Sequence, residues 1–432
     1  MTSEGRAGGG RPRRSLDWPI LLASGALALA PLAAYHALFG RLFWFGDEFD
    51  LIDQIDRMGL WRWLWRPFAE NFVPLFKLLW GAAVLLLHGS YPAMIAVLWL
   101  THAANVVLLG RVMRACALPW MAVACALVPL GLAPSNLETL AWSVQWSAVL
   151  SVGFLLLALD GFLRRPASAG PLAWSAASAL CFSRGVLAGP ALALACLWQG
   201  GGASPPGRPA RTASRAAGYL LPSAAVAGLI AVLSGGNEHH MAGHWGDAAV
   251  FGAWYWCLNP AYLLFRVESW GWHTVAVLGL VKLALAAWVL ARSTGRQRLL
   301  FALLVALDLG NAALLGIGRF HTGLPAAVGS RYQYASLIAI APLAGFWISR
   351  QWGRLPLPAA LRGALAAAAL AAGALYLGLG WPAALEPFSR ARGVESRRIL
   401  FLESEWAPHS VPGIPGLPMD RARALAAKYN LH

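Results

Sequence analysis

Long runs of apolar residues, separated by short polar stretches, dominate the pattern of this chain. Several runs approach the ~20 apolar residues that a helix needs to cross a hydrocarbon core of ~30 Å. The runs are continuous rather than alternating, which favours helices, and a helix satisfies its own backbone hydrogen bonds in lipid. The pattern predicts an all-α, polytopic transmembrane helical bundle of about eleven spans, at residues 18–38, 92–110, 118–134, 140–161, 171–182, 186–198, 216–234, 271–291, 299–318, 332–349 and 360–380.

Charge decides how two apolar segments are placed. Residues 72–88 are apolar enough to cross, but a crossing there would put Arg111 and Arg114 outside. We therefore expect a re-entrant or interfacial helix on the outer side, and whether it crosses stays open. Residues 171–198 are broken at Ser183-Arg184-Gly185, which predicts a helical hairpin with an outward tip. Discontinuous helices at membrane depth usually line a cavity.

The distribution of charge predicts the orientation. With these choices, 17 of the 34 Lys and Arg residues lie inside, as positive-inside bias requires, whereas 15 of the 19 Asp and Glu residues lie outside. The predicted units are a cytoplasmic segment at 1–17, a transmembrane domain at 18–380 that includes an amphipathic outer loop at 39–91, and an extracytoplasmic tail at 381–432. That tail is too short for a core of its own without docking on the membrane domain.

Composition supports a membrane protein and excludes other classes. Charged residues make up 12% of the 432-residue chain, against about 25% in soluble proteins. The net charge of +15 comes from Arg residues scattered through short loops, which does not fit a nucleic-acid-binding face. The five cysteines are dispersed and show neither a zinc spacing nor a disulfide framework, so we interpret them as small buried apolar residues.

The strongest chemical signal follows the first predicted span. Asp47 and Glu48 stand where the chain leaves the membrane, and Asp50 then begins a series of acids at helical spacing with apolar residues between them. We predict an amphipathic helix lying on the membrane, followed by tryptophans at the headgroups, Trp61, Trp63 and Trp65. Asp47 is interpreted either as a helix N-cap or as a general base whose pKa partial burial raises.

A second acid lies at the outer end of the third predicted span. Glu138 is the one carboxylate in an otherwise uncharged turn, and Gln145 stands two turns deeper, where it could face the same cavity. The alternative interpretation of Glu138 is a capping acid in the first turn of the next helix.

Three arginines are candidates for binding phosphate. Arg319, close to His321, and Arg331, next to Tyr332, flank a Gly/Pro loop between outer helix ends. Arg binds phosphate through paired hydrogen bonds, although anchoring in the headgroup region is an equal alternative. Arg184 at the hairpin tip stands between two apolar halves, where an unpaired charge is costly.

Two further polar groups have structural alternatives. The cluster of His239, His240 and His244 could bind a metal with Glu238 or Asp247, although a solvated loop is favoured. Asp308 lies inside a span beside Asn311, and an acid within the membrane is a functional candidate by default. The alternative for Asp308 is a buried polar contact with its Asn, Ser or Thr neighbours.

These features together resemble the GT-C superfamily of membrane glycosyltransferases, which includes protein O-mannosyltransferases, lipid A aminoarabinose transferases and oligosaccharyltransferase catalytic subunits. The matching features are the acidic pair Asp47-Glu48, the long first outer loop with its Asn-x-x-Pro-Leu stretch at 71–75, Glu138, the hairpin at 183–185 and the Ser-Arg-Tyr motif at 330–332. The resemblance covers about residues 18–350. Many relatives carry a large outer domain, whereas the tail here has about 50 residues.

The resemblance implies inverting transfer of a hexosyl or pentosyl group from a polyprenyl-phosphate donor. The acceptor would be a glycan, lipid or protein of the cell envelope, at the periplasmic face of a bacterial inner membrane. Asp47, Glu48 and Glu138 are the expected catalytic residues. Contacts to substrate are expected from Arg331, Arg319, Arg184, Tyr332, Lys77, Asp50, Gln145 and His321. No metal ligands are assigned, and a divalent cation, Mg²⁺ or Mn²⁺, stays open as a cofactor.

A transporter or flippase of lipid-linked glycans is the alternative from another class, and a non-catalytic envelope scaffold is a third. A transporter needs charges near the bilayer midplane, whereas a transferase needs them at the outer surface. Fifteen outer acids against one deep acid favour the transferase.

Overall fold

The computed structural model describes residues 18–68, 71–166, 168–200, 208–233, 243–267, 271–401, 410–411 and 414–432, and these are overwhelmingly helical. The first half of the chain forms α1 to α11 at Trp18–Ala28, Ala30–Ala34, His36–Phe39, Asp47–Met58, Leu60–Trp65, Pro74–Leu86, Tyr91–Ala115, Trp120–Leu132, Leu137–Ala141, Trp146–Arg164 and Gly170–Cys181. The second half forms α12 to α22 at Ala188–Gly200, Arg208–Leu233, Trp245–Leu258, Ala261–Leu264, Trp272–Arg292, Gly295–Arg319, Gln333–Trp352, Ala359–Leu379, Trp381–Ser389, Ser396–Phe401 and Met419–Lys428. A π-helical turn, Arg390–Glu395, joins α20 to α21, and the short antiparallel strands β1 (Ser410–Val411) and β2 (Ile414–Pro418) precede α22.

The chain is an all-α membrane protein. Six described helical segments are long and apolar enough to cross a membrane, namely Tyr91–Ala115, Ser143–Arg164, Thr212–Leu233, Trp272–Arg292, Gly295–Thr322 and Ala359–Phe401. The pair α8 and α9, bent by 50° at residue 133, is a seventh if it forms one span. The first predicted crossing is divided among α1, α2 and α3. Eleven crossings therefore stay a prediction.

Packing separates central helices from peripheral ones. In the apolar windows of α10 and α7, 72% and 56% of residues are buried, whereas the window within Ala359–Phe401 is 11% buried. The peripheral helices α13, α16 and α19 expose large apolar side chains, including Leu221, Leu280 and Leu375. Exposed apolar residues on helices of this length fit contact with lipid.

The predicted helical hairpin is present. A 3-10 turn, Ser183–Leu187, separates α11 from α12, and the two helices have 12 and 13 residues. At 1.5 Å per residue each extends about 20 Å, which is less than the hydrocarbon thickness. The turn packs tightly on α11, because a Cβ at Gly185 would lie 1.9 Å from the Ser178 carbonyl oxygen.

The segment at 72–88 contains α6, which begins with Pro74 at its first position. Its 13 residues extend about 20 Å, too short for a straight crossing. Lys77 is fully buried and donates to the carbonyl oxygens of Trp63 (2.9 Å) and Arg66 (2.7 Å). Trp63 is therefore buried under Lys77, and its predicted headgroup position is wrong, whereas Trp61 and Trp65 are exposed.

The tail docks on the first outer loop. Arg421 of α22 pairs with Asp53 (2.8 Å) and Asp56 (2.6 Å) on α4, and Lys428 and Tyr429 also contact the Asp56 carboxylate. The acidic face of α4 is thus covered by the tail rather than by solvent. These contacts hold the pKa of Asp56 down at about 2, with the Lys428 hydrogen bond as the largest cause.

A backbone connection extends this docking to the start of α7. The Tyr91 amide donates to the His432 carbonyl (2.8 Å), and the His432 amide donates to the Gly89 carbonyl (3.1 Å). Gly89 has a φ of +72° and meets the tail so closely that a Cβ there would lie 2.4 Å from the Tyr429 and Asn430 carbonyl oxygens. Glycine alone tolerates both constraints.

Candidate functional site

The acidic pair begins α4, in the first loop after α1 to α3. Gly46, with a φ of +49°, is the N-cap residue, and Asp47 is the first residue of the helix. The interpretation of Asp47 as an N-cap is therefore wrong, because the turn that starts the helix needs a left-handed residue at position 46. Asp47 is half-buried, and Asp50, one turn later, accepts a hydrogen bond from Gln54 (2.6 Å). Burial and the charge of Asp47 raise the pKa of Asp50.

Glu48 is fully buried and joins three elements. Its Oε1 accepts hydrogen bonds from the Tyr91 hydroxyl (3.0 Å), the Ser143 amide (3.1 Å) and the Ser143 hydroxyl (2.5 Å), and its Oε2 accepts one from the Phe45 amide (2.7 Å). Trp80 in turn donates to the Ser143 hydroxyl (3.1 Å). Burial raises the pKa of Glu48 to about 8, although these hydrogen bonds act in the opposite direction. Near pH 7 the group therefore mostly keeps its proton.

Glu138 and the Ser-Arg-Tyr motif contact each other. The Glu138 Oε2 accepts the Arg331 amide (3.0 Å), and the Glu138 amide donates to the Ser330 hydroxyl (3.1 Å). Ser330 also donates to the Ser135 carbonyl (2.7 Å), and Thr139 donates to the Arg331 carbonyl (3.2 Å). Two predicted site motifs, 192 or more residues apart, thus form one rigid turn that presents the Arg331 side chain.

Arg392 connects this turn to the acidic pair, and sequence analysis missed it. Its guanidinium carbon lies 3.6 Å from the Phe45 ring centroid and 5.3 Å from that of Trp142, and its electrostatic neighbours include the carboxyl group of Glu138 and the guanidinium of Arg331. A π-helical turn places it there, and such turns are frequent at functional sites. The one local signal is Gly393, where a Cβ would lie 2.0 Å from the Arg41 carbonyl oxygen.

The remaining outer candidates have separate surroundings. The Arg331 guanidinium lies 5.0 Å from the Tyr332 ring, and the Tyr332 carbonyl accepts the Tyr255 hydroxyl. Arg319 ends α17, and the exposed His321 follows in a turn that packs against α14. Gln145 ends the 3-10 turn before α10 and is partly buried. The Lys77 ammonium donates to backbone carbonyl oxygens, so this side chain connects α6 to α5.

A small apolar pocket adjoins the acidic pair. It lies between the start of α4 and the tail. Its walls include Trp44, Gly46 and Phe49 from the first loop and Leu400 and Met419 from the tail. The docked tail therefore forms part of the surroundings of Asp47.

Three charged residues are buried within the bundle, namely Arg184 in the hairpin turn, Lys282 and Asp308. Lys282 on α16 and Asp308 on α17 form a buried ion pair with 2.6 Å between Nζ and Oδ2. Lys282 also donates to the Trp256 (2.7 Å) and Asn259 (2.8 Å) carbonyl oxygens. Asp308 is therefore held by a lysine rather than by its neighbour Asn311, which donates to Tyr255 instead. No pattern in the sequence marks Lys282 as a partner of Asp308.

The predicted histidine cluster falls mostly outside the described residues. His239, His240 and Glu238 belong to the undescribed part of the chain, whereas His244 lies 3.0 Å from Asp247 on an exposed surface. Among the residues that the structure describes, no group of three or more His, Cys, Asp or Glu side chains is arranged to hold a metal ion.

Comparison of the chain with protein-family models, curated proteins and solved structures gives no match.

Proposed function

We propose that this protein is an integral membrane glycosyltransferase that moves a sugar from a polyprenyl-phosphate donor to an envelope acceptor at the outer face of a bacterial inner membrane. The observation that carries the proposal is the position of Arg392. It lies over Phe45, two residues before Asp47, and interacts with the charges of Glu138 and Arg331. Four segments distant in sequence thereby bring carboxylates and guanidinium groups to one region.

Such a region supplies both functions that inverting transfer needs. The acceptor hydroxyl oxygen forms a bond to the anomeric carbon while the bond from that carbon to the phosphate oxygen breaks. The leaving phosphate takes the electron pair, and the hydroxyl proton passes to a carboxylate that acts as general base. Guanidinium groups stabilise the charge that develops on the phosphate.

Asp47 is the proposed base. Glu48, one residue away, has a raised pKa and directs both oxygens into hydrogen bonds within the protein, so it is poorly suited to take a proton near pH 7. Its proposed role is to hold the start of α4 against α7, which positions Asp47. Glu138 holds Arg331 through the Arg331 amide and is a positioning residue in this scheme.

Arg331 and Arg392 are the proposed phosphate ligands. They belong to different elements and their charges interact, so a phosphate between them could bind both guanidinium groups. The scheme leaves a Mg²⁺ or Mn²⁺ requirement to experiment, in which activity is compared with and without EDTA.

The direct test uses purified full-length protein in detergent with a panel of polyprenyl-phosphate sugars. Release of polyprenyl phosphate with acceptor present, and its loss in Asp47→Asn, is the expected result. Absence of release with every donor and acceptor in the panel, from protein that remains folded, would count against the transferase.

Transport of lipid-linked glycans is the second candidate, and the deep charges favour it. Arg184, Lys282 and Asp308 lie within the bundle, where a transporter would place charges. Reconstituted vesicles that move a fluorescent lipid-linked glycan between leaflets, with loss of movement in Asp308→Asn and unchanged movement in Asp47→Asn, would favour this candidate over the transferase.

A further inference from the structure

A cavity within the membrane bundle is separate from the outer carboxylate and arginine cluster. It lies among α10, α11, α17, α18 and the hairpin turn. Most of its wall is aliphatic. Its polar lining residues are Ser151, Ser178, Arg184, Asp308 and Asn311.

Arg184 is the feature of this cavity that calls for a ligand. The residue is 8% exposed, and its Nε and Nη1 atoms have no hydrogen-bond partner among the described residues. Its guanidinium carbon lies 4.9 Å from the Phe182 ring, and Tyr255, Tyr332 and Tyr334 are its electrostatic neighbours. These aromatic groups supply no negative charge at neutral pH. A buried guanidinium without a counter-ion is costly, and such groups at membrane depth commonly mark a binding site.

The acid in the cavity does not neutralise Arg184. Asp308 is 2.6 Å from Lys282, which lies behind it and is itself anchored to two carbonyl oxygens. Arg184, Lys282 and Asp308 together carry one net positive charge. A ligand with one negative charge would make the group neutral.

The wall of the cavity fixes the other half of the ligand. Arg184 lies in the 3-10 turn that follows α11, and α11 itself extends about 18 Å from Gly170. Below it, the cavity is lined by Leu155, Leu159, Leu304 and Leu307. A soluble anion would gain nothing from this wall, whereas an aliphatic chain would bury apolar surface along it.

We propose that the cavity binds a lipid phosphodiester, with its single negative charge on Arg184 and its chain along the leucine wall. A guanidinium fork forms two parallel hydrogen bonds to phosphate oxygens, which would use the free Nε and Nη1 donors. Two kinds of lipid share this chemistry, a membrane phospholipid and a polyprenyl-phosphoryl sugar. The second rests on the proposed function, whereas the binding site itself does not.

The test is native mass spectrometry of the full-length protein in non-ionic detergent. The probes are dioleoyl phosphatidylglycerol and farnesyl-phosphoryl mannose, with dioleoylglycerol, farnesol and glycerol phosphate as neutral or chain-free controls. Binding of one or both phosphodiester lipids, at least about tenfold tighter than the controls, is expected. Preference for one of the two lipids identifies the source. Equal binding of glycerol phosphate would replace the lipid by a soluble anion and overturn the proposal.

Variants separate the role of Arg184 from general damage. Arg184→Gln should weaken lipid binding by about 10–150-fold, the usual worth of a charge-assisted bond, with Arg184→Lys between it and the wild type. Arg350→Gln, which removes an exposed arginine from α18, is the matched control and should bind normally. Unchanged lipid binding in Arg184→Gln would overturn the proposal.

Two further variants keep the result interpretable. Ala339→Leu fills the cavity from a buried wall position, so it should also weaken binding tenfold or more, and it decides the matter if Arg184→Gln does not fold. Asp47→Asn should bind both lipids normally. If the wild-type protein transfers sugar but binds neither phosphodiester lipid more tightly than the controls, the cavity proposal alone is defeated. If the wild-type protein binds lipid normally but shows no transfer, the transferase alone is defeated.

Discussion

At the scale of single residues, two adjacent carboxylates have different surroundings. Asp47 is half-buried at the first turn of α4, whereas Glu48 is fully buried and bonded to Tyr91, Ser143 and the Phe45 amide. Burial moves the pKa of a carboxyl group upward and so separates the protonation states of neighbouring acids. The same sequence motif therefore supplies one group suited to accept a proton and one suited to hold the helix.

Asp47→Asn tests the proposed base. Asn keeps the shape of the side chain and removes the basic oxygen, and Gly46 still forms the N-cap, so expression should be normal. Donor turnover should fall by ~10²–10⁴-fold, the usual worth of a general base. Polyprenyl-phosphate release measures this, with Asp420→Asn in the exposed first turn of α22 as control. Parental activity in Asp47→Asn, Glu48→Gln and the double variant would remove the main support for the transferase.

Glu48 predicts how stability depends on pH. Its pKa is raised from 4.5 to about 8 in the folded chain, so folding favours the protonated form. That contribution is fully present below about pH 4.5 and is lost as pH rises through about 8. The thermal midpoint, followed by exposure of buried cysteines to a thiol dye, should therefore fall between pH 5 and 8 by on the order of 5 °C. Glu48→Gln cannot ionise, so its midpoint should lack this decline, and an identical decline would refute the assignment.

Arg331 and Arg392 predict graded losses of donor use. Arg331→Ala should lower turnover about 10–150-fold, and Arg331→Lys should lower it less, because lysine keeps the charge but not the fork. Arg392→Gln should give a loss of similar size. The exposed Arg390 lies two residues before Arg392 and provides the control Arg390→Gln, which should leave turnover unchanged. Wild-type turnover in both Arg331→Ala and Arg392→Gln would show that the donor phosphate binds elsewhere.

At the scale of elements, sequence patterns predicted those features that local chemistry determines. The spacing of acidic and apolar residues predicts α4, and Gly and Pro residues predict the break at 183–185 and the turn holding Glu138. Each of these features is present. The partners of those elements depend on contacts between distant segments. Arg392 reaches the site through a π-helical turn, and Lys282 pairs with Asp308 across two helices, so no pattern within one segment identifies either residue.

Docking of the tail on α4 gives an element-scale prediction. Arg421→Gln removes the ion pairs to Asp53 and Asp56 at the far end of the helix that begins with Asp47. Hydrogen exchange of α4 should accelerate, and turnover should fall severalfold without a change in expression. Arg423→Gln alters the same helix but loses contacts to Leu400 and the exposed Asp420, so α4 should exchange normally. Equal exchange of α4 in both variants and the wild type would show that the tail does not hold it.

At the scale of the whole molecule, tail docking constrains the topology. The tail contacts α4 and the segment before α7, so the loop that contains α4 and the tail lie on the same side of the membrane. An even number of crossings must separate them. The six long segments and the bent pair make seven. One more is needed, and α18, with 20 residues, about 30 Å long, is the element that can supply it.

This parity supports a topology that labelling can test. In this topology α1 to α3 supply the first span, and eight crossings follow the first loop. The two short hairpin helices add two segments and return the chain to the side it left. The total is eleven segments. The N-terminus is then inside and the tail outside, with Arg164 and Arg165 on the inner side, as positive-inside bias requires. Arg165 is exposed, so a cysteine there is accessible from its own side. In intact cells an impermeant maleimide should label a cysteine at the exposed Asp420 and leave one at 165 unlabelled until the membrane is opened. Labelling at 165 from outside would show that the bundle has the opposite orientation. The carboxylate and arginine cluster would then face the cytoplasm, where the proposed donor and acceptor would not meet it.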